Sequence, residues 1–159
     1  MGQLLCKSTA KGKVRYFWDY DNTGVLDIAY VISNLRAMFG EGSFLIVGNE
    51  ILHKIPEKIR HENDDVSYKD TNGRNKDDGM LKSPIFGTDW NDEDTMVLIT
   101  DDGDFQDVLD FCAERNVCSI VIYRRISRKL EIANAKYPLN IFESGRSRWM
   151  DYTCETHSI

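Results

Sequence analysis

Ten consecutive residues constrain this chain more than any others: Met96-Val97-Leu98-Ile99-Thr100-Asp101-Asp102-Gly103-Asp104-Phe105. An uncharged run bounded by polar clusters reads as a parallel strand buried on both faces. Three aspartates and a glycine follow at once, and then Phe105, Val108, Leu109 and Cys112 recur at the spacing of one helix face. A strand that ends in carboxylates and turns directly into a helix sets them at the carboxyl edge of a sheet, where open α/β folds bind ligands. Aspartates packed this closely repel one another, so the edge calls for a cation.

The rest of the chain supplies neighbours for that strand. Val14 to Trp18 reads as a first strand, closed by the turn formers Asp19-Tyr20-Asp21-Asn22-Thr23-Gly24. Val25, Ile28, Ala29, Ile32, Leu35 and Phe39 then predict an amphipathic helix capped by Thr23 or Asn22 and ended by Gly40 and Gly42. Phe44 to Val47 is a second strand. A helix follows around Pro56, which suits a first turn better than an interior. Val66 to Lys69 is a third strand, Asp70 to Lys76 a loop. A helix starts at Asp77-Asp78 and runs through Leu81 until Pro84. Thr88 to Asp94 is an acidic connector. Cys118 to Tyr123 is another buried strand; Arg124, Arg125, Arg128 and Lys129 lead into a helix capped by Ser127, and Leu139 to Phe142 forms a last edge strand. The organisation expected is an arm over 1–13, one domain over 14–143 and a tail over 144–159.

Strands alternating with helices argue for a three-layer α/β/α domain with a parallel sheet of five to six strands. Right-handed crossovers put the first strand beside the fourth, where strand order reverses. That arrangement gathers Asp19, the Asp102/Asp104 pair, and Asp77 or Asp78 around one crevice. Carboxylates without histidines or thiolates make a hard, oxygen-rich site suited to Mg²⁺ or Mn²⁺, and such ions act on phosphate.

Composition narrows the classes. The four cysteines form no C-x-x-C pair and the three histidines are scattered, which argues against classical zinc and for a reducing compartment. No apolar run is long enough to cross a bilayer, and the N-terminus lacks the order of a signal peptide. Met1-Gly2 begins like a myristoylation signal, but Cys6 stands where Ser or Thr is wanted. An intracellular protein, cytoplasmic or nuclear and without a membrane partner, is expected. The net charge of −6 argues against a protein that coats nucleic acid, but suits an acidic centre with basic residues on one rim.

Phe17-Trp18-Asp19-Tyr20-Asp21-Asn22 resembles the opening motif of NYN domains, a branch of the PIN-like ribonucleases, closest to the limkain / meiosis-arrest-regulator type with its F-W-D-x-E-N. Leu98 to Phe105 resembles that family's L-v-S-G-D-x-D-F block, Asp77-Asp78 with Leu81 its acidic helix start, and Ser127, Leu130, Ala133 and Asn134 its late S-x-x-L-x-x-x-A-[DN] signature. The resemblance spans Val14 to Phe142 and implies a PIN-like, Rossmannoid sheet and metal-dependent endonucleolytic cleavage of RNA, single-stranded for preference. It implies Asp19, Asp77, Asp102 and Asp104 as metal ligands, with Asn22 and Asp78 joining the catalytic set. Arg124, Arg125, Arg128 and Lys129 follow a strand's carboxyl end and offer a phosphate rim. Two departures stand out: Asp101 replaces the usual glycine, and Asn49 sits where some relatives carry aspartate.

Each residue also has a plainer reading. Asp19 and Asp102 are ordinary turn formers or helix caps, Asp104 reads equally as a cap, and Asp77-Asp78 suits any helix start. Asp21 faces solvent or holds its loop. The basic residues suit a solvated face, Phe17 and Trp18 suit the core, and Trp90 is the better candidate for stacking on a base. Two alternatives stay open beside the nuclease. One is a weak or inactive NYN-like module that binds RNA or protein, with a homo-oligomer also open. The other, ranked behind, is a haloacid-dehalogenase-type phosphatase in which Asp19-x-Asp21-x-Thr23 supplies Asp19 as nucleophile.

Overall fold

Apolar residues alternate between two cores along each central strand, which explains why the middle of each strand lacks polar positions. In the computed structural model, which describes residues 12–50, 52–53, 55–56, 59, 65–72 and 77–144, Tyr16, Trp18, Val97 and Ile99 face one core. Phe17, Met96 and Leu98 face the other. The described elements are β1 (Val14–Asp19), α1 (Ile28–Phe39), β2 (Gly42–Gly48), β3 (Val66–Asp70), α2 (Asp77–Gly87), β4 (Thr95–Ile99), α3 (Gln106–Glu114), β5 (Cys118–Tyr123), β6 (Ala135–Pro138) and α4 (Asn140–Glu143). Single 3₁₀ turns cover Gly103–Phe105 and Arg128–Leu130.

The strands form one sheet in the order β3-β2-β1-β4-β5-β6, every pair parallel. This is a Rossmann-like three-layer arrangement, as expected, and the order reverses between β1 and β4. α1 and α4 cover one face through Val31, Leu35, Ile141 and Phe142. α2 and α3 cover the other through Leu81, Ile85, Val108 and Cys112. No helix among the described residues is long and apolar enough to cross a membrane.

Four local expectations are corrected. The first helix is capped by Asp27, whose Oδ1 accepts the Tyr30 N–H at 3.1 Å. Thr23 does not cap it, because its buried hydroxyl donates to the Asp19 carbonyl and accepts the Trp18 indole N–H. α2 continues through Pro84 to Gly87: burial of Leu81 and Ile85, worth about 1.5–3 kcal/mol each, offsets the ~3 kcal/mol that an interior proline costs.

After Ser127 there is one 3₁₀ turn, not a longer helix, because the Asn134 side chain is held by Ser119 of β5. The last strand is β6, and Leu139 to Phe142 lies in the helical turn that follows it. There Phe142 N–H bonds the Leu139 carbonyl, and Leu139, Ile141 and Phe142 share one core. The expected helix around Pro56, the residues of the arm before 12 and the tail beyond 144 lie outside the described residues, apart from isolated positions.

Candidate metal centre at the carboxyl edge of the sheet

Asp19 ends β1 and is fully buried. Strand alternation puts it on the face of Phe17, toward α2 and α3. Its Oδ2 accepts two hydrogen bonds, from Thr100 Oγ1 at 2.8 Å and from Asn22 Nδ2 at 3.1 Å. The Thr100 hydroxyl in turn accepts the Asp102 N–H at 3.0 Å. One buried hydroxyl therefore joins the ends of β1 and β4 and fixes Asp102 relative to Asp19.

Asp102 caps the first 3₁₀ turn, its Oδ1 accepting the Asp104 N–H at 2.9 Å. The plain reading of this aspartate is thus realised, and it does not displace the other. Oxygens of Asp78, Asp102 and Asp104 all lie within 4.8 Å of one another. Oxygens on opposite sides of a bound Mg²⁺ are about 4.2 Å apart, so the trio is close to the size that one ion draws together. Its donors are all carboxylate oxygens, which fits a hard divalent cation. Asp19 stands outside this trio, linked to it through Thr100. Of the pair left open by the sequence, Asp78 converges with the other two; the Asp77 side chain lies outside the described residues.

Two participants lay outside the expected set. Thr100 stood in the Leu98 to Phe105 block without a role of its own, since a threonine ending an apolar strand looks like any β-branched residue. Lys82, four residues after Asp78 on α2, donates to the Asp104 carbonyl at 2.6 Å and pairs with Asp107 at 3.2 Å. Its ammonium also sits 5.4 Å from the centroid of the Phe105 ring. It fastens the helix carrying Asp78 to the turn carrying Asp104. Close packing does the same on the other side, because a Cβ on Gly103 would come within 2.7 Å of Ser127 Oγ and 3.1 Å of Lys129 Cδ.

The basic rim is built differently from its sequence pattern. Asp101 Oδ1 accepts the backbone N–H groups of Arg124 and Arg125, at 2.7 and 2.9 Å. The Arg124 guanidinium grips Glu143 with both terminal nitrogens and reaches the Gly24 carbonyl. Its hydrogen bond to Glu143 raises its pKa further above the ordinary value. Arg125, Arg128 and Lys129 are exposed. Asp21 holds its loop, accepting from Asn49 N–H and meeting His53 Nε2 at 2.9 Å. Burial first, then the negative charge of Asp21, Asp70 and Glu50, pushes the Tyr68 phenol up.

Trp90 does not offer itself to a base. It is buried, packs against Phe17, and donates its indole N–H to the Ile85 carbonyl at 2.8 Å.

No protein family and no curated protein matches the sequence. In structure the chain is similar to a short-chain dehydrogenase/reductase from Veillonella parvula DSM 2008, at a TM-score of 0.40 and 12% identity. The likeness covers 69% of this chain and 46% of that one. It is too distant to bear on chemistry.

Proposed function

We propose that the chain is a NYN-like, metal-dependent endoribonuclease that hydrolyses internal phosphodiester bonds of single-stranded RNA. The observation that carries this reading is the convergence of Asp78, Asp102 and Asp104 at the carboxyl end of β4, beside the point where strand order reverses. Asp78, Asp102 and Asp104 would hold Mg²⁺ or Mn²⁺. When bound, such an ion supplies Lewis acidity toward phosphoryl oxygens and makes water a better nucleophile at neutral pH. Asp19 and Thr100 keep the Asp102 backbone in register, and Asn22 keeps Asp19 oriented. Lys82 holds α2 against the turn, so that Asp78 reaches the same point. Arg125, Arg128 and Lys129 offer exposed cations to the RNA backbone. The Asp101 carboxylate, in place of the glycine of the NYN motif, is engaged with the Arg124–Arg125 backbone.

The test is cleavage of an end-labelled single-stranded RNA with Mn²⁺ or Mg²⁺, with and without chelator. Internal products that vanish on chelation are expected, with Asp78→Asn and Asp102→Asn each slowing cleavage about 100-fold or more. Cleavage that survives both substitutions or chelation would overturn the reading. RNA retention without products would favour the binding module, and hydrolysis of a phosphate monoester with RNA untouched would favour the phosphatase.

A further inference from the structure

Arg15 is held by an aromatic ring and, among the described residues, by no ion pair. It is the second residue of β1 and shares the sheet face of Phe17, toward α2. The side chain is half-buried, and its Nε is sealed from solvent without a hydrogen-bond partner. Among the described residues the guanidinium forms no ion pair; its one partner is the Trp90 ring, with Cζ 5.5 Å from the ring centroid. Arg36, whose Nε likewise lacks a hydrogen-bond partner, differs because that Nε lies 3.7 Å from Glu41 Oε1 and the guanidinium bonds the Gly42 carbonyl.

Arg15 opens into a groove of about 240 Å³ lined also by Ser43, Leu45, Asp65, Ser67 and Thr88. Register explains the grouping: Arg15 is paired with Ser43 across β1 and β2, and Leu45 with Ser67 across β2 and β3. Alternation then sets Arg15, Ser43, Leu45 and Ser67 on one face. Ser43 and Ser67 are exposed, so this stretch of sheet lies open beside the C-terminal half of α2. A planar guanidinium held on an aromatic ring, with hydroxyl donors alongside, matches the oxygens of a phosphate group.

We infer that the Arg15 groove is an oxyanion site that takes a phosphodiester of a nucleic-acid strand. One guanidinium balances one negative charge, so the singly charged phosphodiester fits this groove better than dianionic inorganic phosphate. From Asp78 to Thr88 α2 and its end rise ~15 Å, within reach of the same strand a few nucleotides from the acidic trio. That strand being RNA rests on the function proposed above; the oxyanion site itself does not.

The full chain in chelator, where metal-dependent cleavage is suppressed, is titrated separately with a short single-stranded RNA and with inorganic phosphate. The Arg15 Nε–H and Trp90 indole N–H resonances are followed. Saturable shifts of both with RNA are expected, and Arg15→Met weakens that response about tenfold or more. Arg15→Lys, which keeps charge and stem but loses the fork, falls between. A response to phosphate alone keeps the oxyanion site and reassigns its source. Unmoved resonances with both probes, or equal binding by Arg15→Met, overturn it. Because these readouts need no catalysis, a chain that binds here yet cuts nothing separates the failure of the nuclease reading from that of this site.

Discussion

Thr100 Oγ1 donates to a fully buried carboxylate and accepts the Asp102 N–H in the same position. Thr100→Val keeps shape and β-branching but leaves Asp19 with one donor fewer and the Asp102 N–H without its acceptor. A lost partner in a buried site costs about 1–3 kcal/mol, so the urea midpoint should fall accordingly, and cleavage with it. A second residue-scale expectation concerns pH. Burial raises the Cys112 and Cys118 thiols from 9.0 to about 12. Their folded values exceed the unfolded one, so their contribution is fully present below pH 9 and is lost as pH rises toward 12. Thiol reagents at pH 8 should react with them only on unfolding, and alkaline urea titrations should show stability falling above pH 9. Charge density and order made Asp78, Asp102 and Asp104 visible in the sequence. Trp90 misled, because an acidic connector is normally solvated, whereas its indole lies between Phe17 and Arg15.

At the scale of elements, what could be read beforehand was whatever is buried on both sides. β1, β4 and β5 are runs whose alternate residues fill opposite cores, and their polar residues, Arg15, Asp19, Thr95 and Ser119, stand only toward the ends. Short connections were less legible because one side-chain bond decides them. Asp27 rather than Thr23 starts α1 since Trp18 and Asp19 already engage Thr23, and that engagement depends on tertiary contact. The loop after β5 is another such case. Asp101 reaches across from the end of β4 to two N–H groups, a bridge that no spacing along the chain reveals. Asp101→Gly should loosen Arg124 and Arg125 at a cost of about 1–2 kcal/mol, the range for bonds to a charged acceptor reduced by exposure. Denaturant titration measures the cost. The exchange rates of the amides of residues 124 and 125 should rise while those of β5 hold.

For the molecule as a whole, strand order makes the chemistry conceivable, since β1 and β4 are far apart in sequence and adjacent in the sheet. Convergence of like charges carries a thermodynamic signature that separates a cation site from a solvated acidic surface. Asn caps a turn as well as Asp does, so Asp102→Asn removes charge and little else. With no divalent ion present, it relieves repulsion within the trio and should leave the fold equally or slightly more stable. With Mn²⁺ at about 100 times its dissociation constant, the unsubstituted chain gains ~2.7 kcal/mol. For a domain of this size that gain raises Tm by about 5–10 °C. The variant, lacking one of three ligands, gains far less, so the order of the two Tm values reverses on adding the ion. Calorimetry with Mn²⁺ and with chelator reads the reversal directly. Equal shifts in both proteins would mean that the ion binds elsewhere, and that the three carboxylates merely crowd a wet edge.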